Sequence, residues 1–384
     1  MLCVATINPD STAETYIRQH FRRIAPGETV VLYVEGAGRS VEHLPSLRLP
    51  KRRRTRGIMS QLQSLGNLVF HGYSGAIVGQ AAHKGARFIE EHSVTAVLAE
   101  FGPTGCALLP LHRKLHFRLV VNFHGYDATV MPRRWQIRTA YRRLNKEADA
   151  FVCGSDHFRA VLENLGFDRS KIHVVPSGIE VENFRPAPEK DPNLVLAVGR
   201  FVEKKAPQLT IAAFARVAEQ LPAARLEMIG DGPLLEPCRR IAAGQGLEDK
   251  IIFHGARGHD FVRERMAYAN LFVQHSIVAA NGDTESQGIS LLEAMASEVP
   301  VVATRHNGFT ETVVEGETGF LVEERDTGAM AVRMGSILND PTLRAAMGQA
   351  GRERVLRLYA AELQAAKLRA ILFPVDRNEA GSRS

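Results

Sequence analysis

The stretch Leu194-Val195-Leu196-Ala197-Val198-Gly199-Arg200, continuing as Phe201-Val202-Glu203-Lys204-Lys205, decides the reading of the fold. Five consecutive apolar residues with no polar alternation describe a strand covered on both faces, as in a parallel sheet flanked by helices. Gly199 ends the run, and two kinds of cation leave its carboxyl end. Arg200 can fork two donors onto phosphate oxygens, while Lys205 brings a compact charge five residues later. A departing nucleoside diphosphate needs such charge, because its bridging oxygen turns negative as the glycosidic bond breaks. Alone, a strand followed by Gly-Arg is a surface turn more often than a site.

A second stretch, Asn281-Gly282-Asp283-Thr284-Glu285-Ser286-Gln287-Gly288-Ile289-Ser290-Leu291-Leu292-Glu293-Ala294-Met295-Ala296, runs from a polar loop into an apolar helix that must stop before Pro300. Free N–H groups of Gly288, Ile289 and Ser290 at the helix start form a natural diphosphate cradle. Glu285 precedes the helix and Glu293 lies about one turn inside it. A carboxylate accepts paired hydrogen bonds from vicinal hydroxyls, so one can hold a sugar ring and the other a ribose. An isolated pair of glutamates eight apart would be a solvated helix face.

Outward from these two stretches, apolar runs alternate with amphipathic segments, which predicts an α/β fold of parallel sheets with helices on both faces. The expected strands are Leu2–Ile7, Thr29–Val34, Val94–Ala99, Arg118–Phe123, Ala150–Cys153 and Ile172–Val175. A second series follows: Leu194–Val198, Leu226–Ile229, Ile251–Phe253, Leu271–Val273, Val299–Ala303 and Phe320–Val322. Between the series, PSGIEVENFRPAPEKDP (176–192) carries four prolines and much charge. The expected division is therefore a domain over 1–176, a linker over 177–192 and a second domain over 193–355. A C-terminal helix over 356–372 is expected to pack back on the first domain, followed by a polar tail at 373–384.

The chain has 384 residues, 45% of them hydrophobic and 23% charged, enough for two full cores and against global disorder. Its four cysteines, Cys3, Cys106, Cys153 and Cys238, match no disulfide or metal spacing. No run approaches the length of a membrane span, and MLCVATINPD reads as a first strand, so a cytoplasmic location is expected. Charge is uneven: residues 1–186 hold 25 Lys and Arg against 16 Asp and Glu, the remainder 23 against 26. A basic first half faces something anionic. The sharpest local feature is Lys51-Arg52-Arg53-Arg54-Thr55-Arg56, a solvated loop or an anchor to an anionic inner-membrane surface.

VGRFVEKKAP (198–207), IGDGP (229–233), the Glu285/Glu293 block and HNGFTETVVEGETGFLV (306–322) occur in this order in retaining glycosyltransferases of family 4 (GT4), which the chain resembles. The match is strong from Pro176 to about Tyr359 and moderate before it. The resemblance implies the GT-B fold, two doubly wound Rossmann-like domains facing across a cleft. It also implies a nucleotide sugar as donor with no cofactor and no essential metal; no DxD-type metal site stands beside the motifs. By the same resemblance Arg200 and Lys205 neutralise the diphosphate, Glu285 contacts the donor sugar and Glu293 the ribose. Gly199 lies on the phosphate path, and Gly255 and Arg257, after His254, sit where the family contacts the base. The chain departs from the family at Ala206, Ser286 and Asn307, each commonly Gly. No charged group is lost, but the donor sugar is left undetermined.

In the first half, Val120-Val121-Asn122-Phe123-His124-Gly125-Tyr126-Asp127 ends a buried strand on His124. A lone histidine is usually structural, but FHGYD resembles the family element whose His lies close to the reacting sugar. Asp127 orients His124 or contacts the acceptor. The loop before the first helix resembles the S-E-T-[FY] subgroup of exopolysaccharide and lipopolysaccharide enzymes and offers Glu14 and Thr15, although helix capping alone accounts for its Ser and Thr. The expected activity is hexosyl transfer with retention, from a nucleotide-diphosphate sugar to a hydroxyl of a glycan or lipid-diphosphate-linked glycan in cell-surface polysaccharide synthesis, with no nucleic-acid partner. The competing readings are a nucleotide-sugar epimerase on the same fold and an inactive nucleotide-sugar-binding scaffold. Monitoring free donor without acceptor separates them.

Overall fold

The computed structural model describes residues 1–11, 15–41, 43–50 and 58–375. They fall into two compact units, Met1–Pro176 with the segment from Glu362 onward, and Ser177–Ala361. Each unit holds one wholly parallel sheet.

The first sheet contains β1 (Leu2–Thr6), β2 (Thr29–Tyr33), β3 (Ser46–Arg48), β4 (Ala96–Glu100), β5 (Arg118–Phe123), β6 (Ala150–Cys153) and β7 (Ile172–Val174). Its spatial order is β3-β2-β1-β4-β5-β6-β7. The central strands are buried at every position, the burial their unbroken apolar runs predicted. Because successive side chains point to opposite faces, Cys3 and Ala5 enter one core while Leu2 and Val4 enter the other. Ala365, Leu368 and Leu372 of the helix Ala361–Leu372 complete that second layer. The stretch 356–372 is broken at Tyr359–Ala360, after the helix Pro341–Leu358. β3 escapes sequence reading because it is a three-residue edge strand whose Ser46 and Arg48 face solvent.

The second sheet contains β8 (Leu194–Val198), β9 (Arg225–Ile229), β10 (Ile251–Gly255), β11 (Leu271–Gln274), β12 (Val301–Thr304) and β13 (Gly319–Val322), ordered β10-β9-β8-β11-β12-β13. Val195, Met228, Val273 and Val302 fill one face; Leu196, Ile229, Phe272 and Val301 fill the other. In both sheets the chain reverses its direction of growth beside the first strand, between β1 and β4 and between β8 and β11. Such switch points open a crevice at the carboxyl ends of the strands.

The segment expected as a linker is more than a tether. Ile179, Val181 and Phe184 are buried in the second core, and Ile179 exchanges backbone hydrogen bonds with Tyr359 and Ala361. Its prolines and charges hid three apolar anchors spaced too irregularly to read as a strand or helix.

Candidate functional site

In the second unit the site is built at the β8–β11 switch point. Gly199 leaves β8 and donates its N–H to Ile229 O at 2.9 Å. Gly230 is at φ +146°, and a Cβ there would overlap the Gly199 carbonyl oxygen. The IGDGP loop is thus a packing device that lets β9 close on Gly199. Arg200 follows, exposed and without an ion pair among the described residues.

A single 3-10 turn, Glu203–Lys205, then splits its two lysines. Lys204 turns inward, is buried, and clamps Asp283 Oδ1 at 3.1 Å and Thr284 O at 3.2 Å. Lys205 turns to the crevice and places Nζ 2.7 Å from Glu285 Oε2. Burial alone would raise the Glu285 carboxyl, but the charges of Lys205 and Lys204 hold it down at about 2. The Glu285 backbone is fixed from the far side: its N–H donates to His306 Nε2 at 3.1 Å and its carbonyl accepts from Asn307 Nδ2 at 2.6 Å. With Nε2 accepting, His306 donates from Nδ1 to Glu324 Oε1 at 2.5 Å.

Gly288 precedes the helix Ile289–Ala296 at φ +72°, where a Cβ would lie 2.5 Å from the Phe309 ring. The N–H groups of Gly288, Ile289 and Ser290 come before the first bond of the helix, which Leu291 makes to Gly288 O. The Ser290 hydroxyl is tied to Gln274 Oε1 at 2.8 Å. Glu293 lies one turn in, only 9% exposed. Burial pushes its carboxyl up to about 7 against the opposing charges of Lys205 and Arg263. Among the described residues its carboxyl has neither ion pair nor hydrogen bond, an unfilled need for donors in a buried place. Gly255, at φ +68°, ends β10 and accepts Gly230 N–H at 2.9 Å. Arg257 is exposed, with its guanidinium 5.3 Å from the Phe261 ring.

In the first unit, His124 leaves β5 with its ring 4.7 Å from Phe101. Asp127 is buried, and its oxygens accept the backbone N–H groups of His124, Gly125 and Gly102 at 2.9–3.0 Å. These bonds fix the backbone on either side of His124. Glu14, Lys51, Arg52, Arg53, Arg54 and Arg56 lie outside the described residues, as does the side chain of Thr15. Among the described residues no group of three His, Cys, Asp or Glu side chains is arranged to hold a metal ion, and no helix is long and apolar enough to cross a membrane.

Residues 179–354 match the family described as Glycosyl transferases group 1, and residues 25–183 match Glycosyltransferase Family 4. A GDP-mannose-dependent alpha-(1-6)-phosphatidylinositol monomannoside mannosyltransferase of Mycolicibacterium smegmatis is 30% identical, over 74% of this chain and 78% of that protein. The chain belongs to glycosyltransferase family 4. An amylovoran biosynthesis glycosyltransferase of Erwinia amylovora is likewise 30% identical, over 61% of this chain and 59% of its own length. Among solved structures, the HepE protein of Anabaena in complex with UDP and glucose superposes with a TM-score of 0.77 at 16% identity, covering 97% and 99% of the two chains. That likeness carries the fold: this glycosyltransferase has the GT-B architecture of two Rossmann-like α/β units.

Sequence reasoning missed several residues packed around these candidate side chains. Lys204, Asp283, His306, Asn307 and Glu324 hold the Glu285 loop, and only the HNG in the family motif hinted at two of them. His275 follows β11 fully buried, its Nε2 accepting Arg325 N–H at 2.8 Å and its Nδ1 without a partner among the described residues. Glu100, at the carboxyl end of β4, is fully buried between two histidines. An acidic residue closing an otherwise apolar strand was the signal available for it.

Proposed function

We propose that this glycosyltransferase moves a hexosyl unit, with retention of anomeric configuration, from a nucleoside-diphosphate sugar to a hydroxyl of a glycan or lipid-linked glycan in cell-surface polysaccharide synthesis. The observation that carries the donor reading is the buried Glu293 carboxyl, which has no hydrogen-bond partner among the described residues, one turn inside a helix whose first N–H groups precede its first internal bond. A ribose diol supplies the two donors that such a carboxylate lacks. The diphosphate then meets Arg200, Lys205 and the N–H groups of Gly288, Ile289 and Ser290. Gly199 leaves room on the phosphate path, and Gly255 and Arg257 line the base.

Glu285 holds hydroxyls of the transferred sugar, and its pairing with Lys205 keeps it ionised for that task. His124 is assigned the stabilisation of positive charge as the glycosidic bond breaks. With no carboxylate assigned as nucleophile, the acceptor hydroxyl attacks from the face the diphosphate leaves. The departing phosphate oxygen takes the hydroxyl proton. Because side-chain and backbone donors meet the diphosphate charge, the rate is expected to survive a chelator. The relatives named for GDP-mannose and phosphatidylinositol mannoside, and for amylovoran, support a nucleotide-sugar donor and a lipid-linked or polysaccharide acceptor.

Contact with an anionic membrane surface fits the basic first half. Beyond Lys51–Arg56, the helix Trp135–Glu147 exposes Trp135, Arg138, Arg142 and Lys146 along one stripe. Arg143 of the same helix reaches Phe70 O, beside the exposed Leu65, Val69 and Phe70. A stripe of cations next to apolar side chains matches an anionic lipid interface.

The deciding experiment screens UDP-, GDP- and ADP-sugars for hydrolysis or transfer by wild type and Glu285→Gln, with the product anomer read by NMR. Retention, and a loss on the order of 100-fold or more in a folded Glu285→Gln, is expected. Near-normal turnover in that variant sinks the assignment.

A further inference from the structure

The buried cluster at the end of β4 joins His124 of the FHGYD motif to Glu100 and His20, which no motif read from the sequence includes. Glu100 is fully buried. Its Oε1 is 2.6 Å from His20 Nδ1 and its Oε2 is 2.7 Å from His124 Nε2, with Asn122 Nδ2 donating to Oε2 at 3.2 Å. Three elements converge here: β4 carries Glu100, the helix Thr15–Arg23 carries His20, and β5 carries Asn122 and leads to His124. Burial would raise the Glu100 carboxyl, yet the charge of His20 and the hydrogen bonds from His124 and His20 hold it down at about 2.

An ionised carboxylate only accepts hydrogen bonds, so both nitrogens facing Glu100 must carry protons. The proton of neutral His124 then sits on Nε2, and the lone pair on Nδ1. The backbone of the same residue is pinned independently, its N–H on Asp127 Oδ1 at 3.0 Å. His124 is thus fixed at main chain and ring by two different buried carboxylates.

We propose that Glu100 is a positioning residue that locks His124 in the Nε2–H tautomer, with His20 and Asn122 completing the shell that keeps Glu100 in place. The logic is that of a base and its orienter: the carboxylate does not exchange the proton, but decides which nitrogen holds it. The inference rests on the proposed role of His124 for its effect on rate, and on the hydrogen-bond geometry around an ionised Glu100 for its effect on tautomer.

The test uses the full chain with a donor sugar from the screen. Long-range ¹H–¹⁵N correlation spectra of the imidazoles report tautomers in wild type, Glu100→Gln and Glu100→Leu, and kcat and donor KM are measured on the same samples. Wild type is expected to show His124 protonated at Nε2. The glutamine amide offers one acceptor oxygen and one donor nitrogen to two rings, so one ring must reverse its tautomer; leucine holds neither. A fall in kcat on the order of 10–100-fold, with donor KM changed less than about threefold, is expected. His124 protonated at Nδ1 in wild type, or full kcat in a folded Glu100→Leu, overturns the proposal. If Glu100→Leu does not fold, Glu100→Asp replaces it: the carboxylate withdrawn by one methylene should give an intermediate kcat, and wild-type kcat counts against the proposal. An unchanged rate in His124→Ala removes the catalytic reading of His124, while the wild-type spectrum still decides whether Glu100 sets the tautomer.

Discussion

Glu285 and Glu293 are the same residue type eight positions apart, yet the fold drives their carboxyls in opposite directions. Lys205 and Lys204 stand against the first, while burial dominates the second. The Glu293 value has a consequence for stability. A carboxyl whose folded pKa is raised contributes stability that is complete below its unfolded value, near 4.5, and is lost as pH rises through about 7. Ionised Glu293 therefore costs the empty protein roughly 3 kcal/mol above that window. Glu293→Gln is expected to leave the unfolding midpoint nearly unchanged at pH 4.5 and to raise it at pH 8, while donor affinity falls. Urea unfolding at the two pH values checks it; an equal effect at both sinks it. The sequence offered both glutamates as ligands but not this difference, because each value depends on side chains brought in from other elements. His124 makes the same point, since the strand ending that exposed it was legible, whereas Glu100 and His20 reach it only in three dimensions.

At the scale of elements, the work is done by short turns that face two ways. The turn Glu203–Lys205 sends Lys204 into the loop it supports and Lys205 into the crevice, and Glu203 Oε1 accepts Ala280 N–H at 2.8 Å as a third staple. Lys204→Met keeps the stem but removes both clamp bonds, so the loop over 277–285 should loosen. A fall in kcat together with a rise in donor KM is expected, and a change in neither rejects the clamp. Gly288 is the other hinge of the site. Ala there meets both a positive φ and the Phe309 ring, for a loss of about 2–4 kcal/mol. A Gly288→Ala protein as stable as wild type in urea would show that the helix start can shift. The periodicity of the helix and the glycine before it could be read directly; the Phe309 side chain that makes the glycine obligatory lies in a separate element.

For the whole molecule, the basic first half predicts an anionic partner, and the face proposed for it is the exposed stripe Trp135, Arg138, Arg142 and Lys146. Co-sedimentation with phosphatidylglycerol vesicles at low salt should drop severalfold for the triple substitution Trp135→Ala, Arg138→Gln, Arg142→Gln, with circular dichroism unchanged. Undiminished binding would move the contact elsewhere, the run Lys51–Arg56 being the next place to neutralise. The amino-acid sequence by itself determined the two parallel sheets, because buried parallel strands are written as unbroken local apolar runs. It likewise offered the four charged residues proposed for the donor site, because they follow strand ends or open helices at fixed short spacing. Only the tertiary structure decided that Lys204 turns inward as a clamp while Lys205 pairs with Glu285, that the expected linker is anchored in the second core, and that a buried carboxylate stands behind His124. Those outcomes rest on contacts between residues tens to hundreds of positions apart, and no local pattern encodes them.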